Sequence, residues 1–214
     1  MLKFFKFSWS ILLLFTQCQN TPTPPIAAPI PTMQEIPESE LPQVKAITKE
    51  GIIQFADGSS KPIPHYGEQG WMTLFLVRHC EKDKSIADNP PLTAEGQARA
   101  ERLGRVMDNA ILDKIASTNT KRTLETAQAV RRWAGDPVME NFPYEAQNSW
   151  LAENIEMGSG KRIFYIGHQN SVPVLLNNLT ASVRYKNIPD LDFGRFYIAV
   201  SQGIGKTEVM EMRY

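Results

Sequence analysis

The chain has 214 residues, 42% of them apolar, and its 23 Lys and Arg are balanced by 23 Asp and Glu. That length gives room for one sizeable core plus extensions, so a single domain is expected. Zero formal net charge, with no Lys/Arg block beyond the first few residues, removes the broad electrostatic basis for binding nucleic acid, and two cysteines make no disulfide framework.

Residues 1–18 are unlike the rest. Lys3 and Lys6 precede the apolar run from Trp9 to Phe15, and Cys18 follows, which is the layout of a short export signal. The run falls well below the ~20 apolar residues of a spanning helix. Leu14-Phe15-Thr16-Gln17-Cys18 resembles a bacterial lipoprotein signal, whose Cys becomes the lipidated amino terminus. Gln17 stands where that pattern usually has a small residue; an ordinary secretory signal and an uncleaved anchor are the alternatives. Residues 19–44 carry Pro22, Pro24, Pro25, Pro29, Pro31, Pro37 and Pro42 among few large apolar side chains, the composition of a water-solvated tether. An exported protein, periplasmic or at the cell surface and anchored to a membrane by lipid on Cys18, is expected.

Within residues 45–70, Gly51-Ile52-Ile53-Gln54-Phe55, then Asp57-Gly58 and Lys61-Pro62-Ile63, read as a small accessory hairpin. Residues 71–214 form the main domain. A strand from Met72 to Val77 is followed by Leu92-Thr93-Ala94-Glu95-Gly96, where Thr93 can cap a helix ending near Ala110. Strand 114–117 and helix 121–133 repeat the unit, and a short strand fits 137–139. A helix over 148–157, a buried strand over 162–167, a helix over 172–179 and late strands over 196–200 and 207–212 complete the domain. Strands alternating with helices imply an α/β fold with a mainly parallel sheet covered on both faces.

Arg78-His79, the Arg122 segment and His168 each lie just beyond a predicted strand. Parallel strands with right-handed crossovers deliver their carboxyl ends to one sheet edge, where these residues can converge around an anion. Taken alone, Arg78-His79 could equally be a capped strand end with a satisfied histidine. Other motifs do not carry chemistry. Cys80 lacks the Arg six positions on that a cysteine-based phosphatase needs, since Ile86 stands there. Asp190-Leu191-Asp192 follows no buried strand, Gly203-Ile204-Gly205-Lys206-Thr207 lacks the first glycine of a phosphate loop, and three scattered histidines do not make a metal site.

The four ordered segments Leu76-Val77-Arg78-His79-Cys80-Glu81, Pro91-Leu92-Thr93-Ala94-Glu95-Gly96, Ser117-Thr118-Asn119-Thr120-Lys121-Arg122-Thr123-Leu124-Glu125-Thr126-Ala127 and Tyr165-Ile166-Gly167-His168 resemble the histidine phosphatase superfamily, also called phosphoglycerate mutase-like, over roughly residues 72–200. The resemblance implies a three-layer α/β/α sandwich. It makes His79 the nucleophile that accepts a phosphoryl group, with Arg78, Arg122 and His168 around the phosphate oxygens, His168 as a donor. No cofactor or metal is implied. Glu145 is the first candidate for proton donor, the alternative being a solvated loop carboxylate; Glu81 is the reserve, or else holds an arginine. Gln169 and Asn170 either bind phosphate or cap the helix that follows.

A phosphatase acting on a small phosphorylated ester or anhydride outside the cytoplasm is therefore expected. The alternatives are a non-catalytic phospholigand-binding module of the same fold and a phosphomutase.

Overall fold

Side-chain alternation along the run Met72–Arg78 sets the layers of this protein. In the computed structural model, which describes residues 36–157 and 160–214, all seven of those residues are buried. Phe75 and Val77 face one apolar cluster, while Met72, Leu74 and Leu76 face the other. A strand with period-2 side chains and two apolar faces has to be covered on both sides. The signal at 1–18, with Cys18, lies outside the described residues, as does the tether up to residue 35.

In chain order the strands are β1 (Val44–Ile47), β2 (Ile52–Phe55), β3 (Ser60–Pro62), β4 (Met72–Arg78), β5 (Lys114–Thr118), β6 (Val138–Phe142), β7 (Arg162–Gly167), β8 (Arg195–Ser201) and β9 (Thr207–Arg213). The helices are α1 (Ala94–Val106), α2 (Lys121–Trp133), α3 (Gln147–Met157) and α4 (Ser171–Thr180). The main sheet runs β6-β5-β7-β4-β8-β9, its first four strands parallel, β8 antiparallel to β4 and β9 antiparallel to β8. One face buries Leu103, Val106, Ala127 and Val130 from α1 and α2; the other buries Trp150, Leu151, Leu175 and Leu176 from α3 and α4. This is the expected three-layer α/β/α sandwich with a mainly parallel sheet. Among the described residues no helix is long and apolar enough to cross a membrane.

Two expectations are corrected at the amino-terminal side. The hairpin at 51–63 is part of a three-stranded antiparallel sheet, β1-β2-β3, and it is no accessory. Val44, Ile47, Ile53 and Ile63 belong to the same cluster as Phe75. Four-residue β1 is too short for its alternation to register in the sequence. The tether also stops short of residue 44: Leu41 is buried, Arg195 Nη2 donates to the Ile36 carbonyl at 2.9 Å, and Arg213 Nε donates to that of Leu41 at 3.2 Å. Proline-punctuated chain leaves its carbonyls free, and two arginines of the domain take them.

Register brings the candidate residues to one edge. Arg78 pairs with Gly167 and Ser117 with Ile166, so β4, β7 and β5 end side by side. The His79 amide extends this pairing by one residue, donating to the Gly167 carbonyl at 3.0 Å.

Candidate active site

At the end of β4 the His79 ring is fixed by its own backbone. Nδ1 lies 2.7 Å from the Cys80 carbonyl oxygen, which can only accept, so Nδ1 carries the proton and Nε2 carries the lone pair. The ring is almost wholly buried, and its pKa is driven well below the ordinary histidine value. Burial is the largest cause; His168, Arg122 and Arg78 push the same way, and the Cys80 hydrogen bond opposes them. A neutral imidazole with Nε2 exposed to reaction is the form that attacks phosphorus.

Arg78 is anchored from below. Its Nη1 donates to the carbonyls of Pro189, Asp190 and Asp192 at 2.9, 3.1 and 3.2 Å, and its guanidinium lies 4.1 Å from the Phe193 ring centroid. Its buried Nε has no hydrogen-bond partner among the described residues. The segment Asp190-Leu191-Asp192, which carries no chemistry of its own in the sequence, is thus the rest on which this clamp sits.

Arg122 stands in the first turn of α2, with only Lys121 between it and the Thr120 N-cap. Its Nε is 3.3 Å from His79 Nε2 and its Nη2 is 3.5 Å from His168 Nδ1, so one guanidinium spans both imidazoles. The two rings are 5.3 Å apart, edge to face. His168 Nε2 is 2.8 Å from Thr118 Oγ1, and the His168 amide donates to Ser171 Oγ at 2.9 Å. Burial, then Arg122, Lys82 and Arg78, lower the His168 pKa to about 4.

These side chains line an open cleft of about 500 Å³. Glu145, Gln169 and Asn170 line it too, so the primary donor candidate shares the cleft with His79. Glu145 sits in a one-turn helix, Tyr144–Ala146, just before α3. Asn170 occupies the N-cap position of α4 without a side-chain cap bond; its Nδ2 donates instead to Tyr144 Oη at 2.7 Å. The Gln169 carbonyl accepts from Ile188.

Glu81 does not line the cleft: of its two readings, reserve proton donor or holder of an arginine, the structure gives the second and corrects the first. Arg99 Nε holds its carboxylate at 2.6 Å, and the pair links the loop after β4 to α1. The same junction explains the segment 91–96. Thr93 caps α1 by accepting from the Gly96 amide at 3.0 Å, and its own amide donates to the Glu81 carbonyl. Gly96 admits that approach, because a Cβ there would meet the Glu81 carbonyl oxygen at 2.2 Å. Cys80 is a bystander: it is fully buried, its pKa raised by burial to about 11.

Lys82, Thr118, Tyr144 and Asn187 were not singled out by sequence reasoning. Lys82, Tyr144 and Asn187 line the cleft, and Thr118 holds His168. Lys82 had a signal within reach just beyond the Leu76–Glu81 segment, and Thr118 lies within the segment that carries Arg122; Tyr144 and Asn187 are set by tertiary folding.

Residues 74–141 match the family model described as "Histidine phosphatase superfamily (branch 1)". No curated protein matches the chain. Among solved structures, the protein histidine phosphatase SixA complexed with tungstate is similar at TM-score 0.55 and 16% identity, covering 66% of this chain and 97% of that one. A mycobacterial glucosyl-3-phosphoglycerate phosphatase matches at TM-score 0.54 and 11% identity, covering 67% and 99%. Phosphoglycerate mutase from Bacillus anthracis matches at TM-score 0.52 and 13% identity, covering 68% and 94%. At these identities the likeness is one of fold.

Proposed function

We propose that this chain, whose residues 74–141 match the histidine phosphatase superfamily model, hydrolyses phosphate esters or anhydrides through a phosphoryl intermediate on His79. The observation that carries the reading is the His79 tautomer, with Nδ1 held at the Cys80 carbonyl and Nε2 facing Arg122 in the cleft.

In the first step the Nε2 lone pair attacks phosphorus, a P–N bond forms, and the P–O bond to the leaving group breaks. Arg122, which already spans His79 and His168, and Arg78 supply fixed positive donors to the phosphoryl oxygens as charge redistributes. Glu145 gives its proton to the leaving oxygen. In the second step Glu145 takes a proton from water, the oxygen attacks phosphorus, and the P–N bond breaks, returning the lone pair to Nε2.

The layout of residues 1–18 supports placing this reaction outside the cytoplasm, with Cys18 as the lipidated residue. Mass measurement of the membrane-extracted protein tests that assignment, since an uncleaved chain or an unmodified Cys18 would contradict it.

The full chain mixed with a chromogenic aryl phosphate across a pH range tests the activity. Turnover in wild type that disappears in His79→Ala is expected. Absence of turnover in wild type would favour a phospholigand-binding module, and turnover surviving His79→Ala would reject the mechanism.

A further inference from the structure

We propose that Thr126 and Tyr214 are positioning residues, whose hydroxyls hold the turn that carries His79 in register with Arg122 on one side and Arg78 on the other. The inference rests on the phosphate-binding reading of the cleft given above.

The sheet leaves this register open. β4 is laddered to β7 and β8, and the His79 amide makes the bond that ends the ladder to β7. Cys80 is the first residue beyond it. Arg122 comes from the first turn of α2, and the carbonyls under Arg78 come from residues 189–192, ahead of β8; no strand pairing joins either segment to Cys80. An in-line transfer tolerates little error, since a misplacement of about 1 Å costs roughly 10²-fold in rate.

Cys80 takes no part in the reaction, yet each of its polar groups is held. Its carbonyl accepts from His79 Nδ1 at 2.7 Å, its amide donates to Thr126 Oγ1 at 3.2 Å, and its Sγ lies 3.5 Å from Tyr214 Oη. The two hydroxyls carry the contact onward. A carbonyl oxygen only accepts, so the Thr126 proton goes to the Arg122 carbonyl at 2.8 Å and the Tyr214 proton to the Phe193 carbonyl at 3.0 Å. Each hydroxyl therefore turns a lone pair to Cys80. Phe193 follows the Asp192 carbonyl that holds Arg78 Nη1, and its ring centroid is 4.1 Å from the Arg78 guanidinium. Through one residue the nucleophile is tied both to α2 and to the seat of Arg78.

This joint is closed to solvent. Cys80 and Thr126 are fully buried and Tyr214 nearly so, which means that a hydroxyl removed here leaves its buried partners unpaired. The chemistry of the place asks for a group that accepts and donates at once. Val in place of Thr126, or Phe in place of Tyr214, would fill the same space and do neither.

The test uses the full chain, with rates on an aryl phosphate and affinities for inorganic phosphate measured well below the melting temperature of each variant. Thr126→Val frees the His79 turn from α2, so kcat should fall roughly ten-fold with little change in phosphate affinity, and Thr126→Ser should restore kcat. Tyr214→Phe keeps the ring and its contact with Phe196 but loosens the seat of Arg78, so phosphate should bind several-fold more weakly. That loss should disappear beside Arg78→Lys, where no guanidinium is left to be seated. Wild-type values in Thr126→Val and Tyr214→Phe overturn the proposal. So does a kcat that Thr126→Ser fails to restore, or an affinity loss that persists in full beside Arg78→Lys, because both describe general loosening of the fold. Where Thr126→Val does not fold, the Tyr214→Phe comparison decides alone. A wild type that binds phosphate without turning over any ester removes the hydrolase reading and leaves the Tyr214→Phe affinities to decide this one; turnover with unmoved variants does the opposite. Failure of the wild type to bind phosphate removes both.

Discussion

His79 Nδ1 and the carbonyl oxygen of Cys80, one residue on, lie 2.7 Å apart, and this local hydrogen bond decides which nitrogen of the candidate nucleophile reacts. It needs no distant partner, so the tautomer is built into the backbone turn after β4. Replacing His79 by Ala should lower kcat by about 10³-fold or more, the scale expected when a covalent nucleophile is removed. Rapid quenching of wild type with a labelled substrate should trap an acid-labile, base-stable phosphoprotein, as a P–N bond requires. An acid-stable adduct would point to another nucleophile.

The two cleft histidines should remain neutral where an ordinary histidine titrates. His79 is held well below 6.5 and His168 near 4, in each case chiefly by burial. The unfolded chain therefore binds more protons than the folded one in this range. Stability from these groups is present above about pH 6.5 and is lost as pH falls toward 4. Ring C–H chemical shifts followed from pH 8 to pH 4 check this; a His168 midpoint near 6.5 would contradict it.

Glu145→Gln should separate substrates by leaving group. Alkyl phosphates, whose oxygen must be protonated as it departs, should lose about 10²-fold or more in kcat, while an aryl phosphate with an acidic leaving group should lose only a few-fold. Equal losses on both would reject Glu145 as the donor.

Glu38 should tie the amino-terminal segment to the Arg78 support in a pH-dependent way. Its pKa is raised to about 7, by burial first and then by a hydrogen bond and repulsion from Asp192, whose own carbonyl holds Arg78. A raised acid contributes stability that is fully present below its unfolded value, near 4.5, and lost as pH rises through 7. Amide exchange at Glu40 and Leu41, corrected for intrinsic rate, should be faster at pH 8 than at pH 6 in wild type and insensitive to that change in Glu38→Gln.

Gly96→Ala should destabilise the domain by roughly 1–3 kcal/mol, the usual cost of forcing a methyl into packed backbone. The added Cβ meets the Glu81 carbonyl, so the loop carrying His79 has to move as well. Denaturant unfolding gives the first effect and KM for an aryl phosphate the second; wild-type values for both would show that the junction is not rigid.

Fold class and the clustering of Arg78, His79, Arg122 and His168 were legible because they follow from local pattern. Strand runs such as Met72–Arg78 and Arg162–Gly167 are near-continuous apolar segments with helices between them, and parallel connection sends all their ends to one edge. Thr93 announced a helix start, and α1 begins at the next residue. What stayed hidden is what distant segments do for one another. Leu41 gives no period, so its burial beneath the domain could not be read. Glu81 could be read as a donor or as the holder of an arginine, and only the packing of α1 brings Arg99 to it and decides between the two. Nothing in Asp190-Leu191-Asp192 says that its carbonyls will hold Arg78.

By itself, then, the sequence determined the layers, the strand ends and the residue types gathered there, because periodicity and chain connection are local properties. Only the tertiary structure decided which nitrogen of each imidazole carries the proton, which carboxylate shares the cleft with His79, and what supports Arg78. Those outcomes depend on hydrogen-bond partners from segments far apart in the chain, such as Thr118 and His168, whose approach is fixed only when the sheet is assembled.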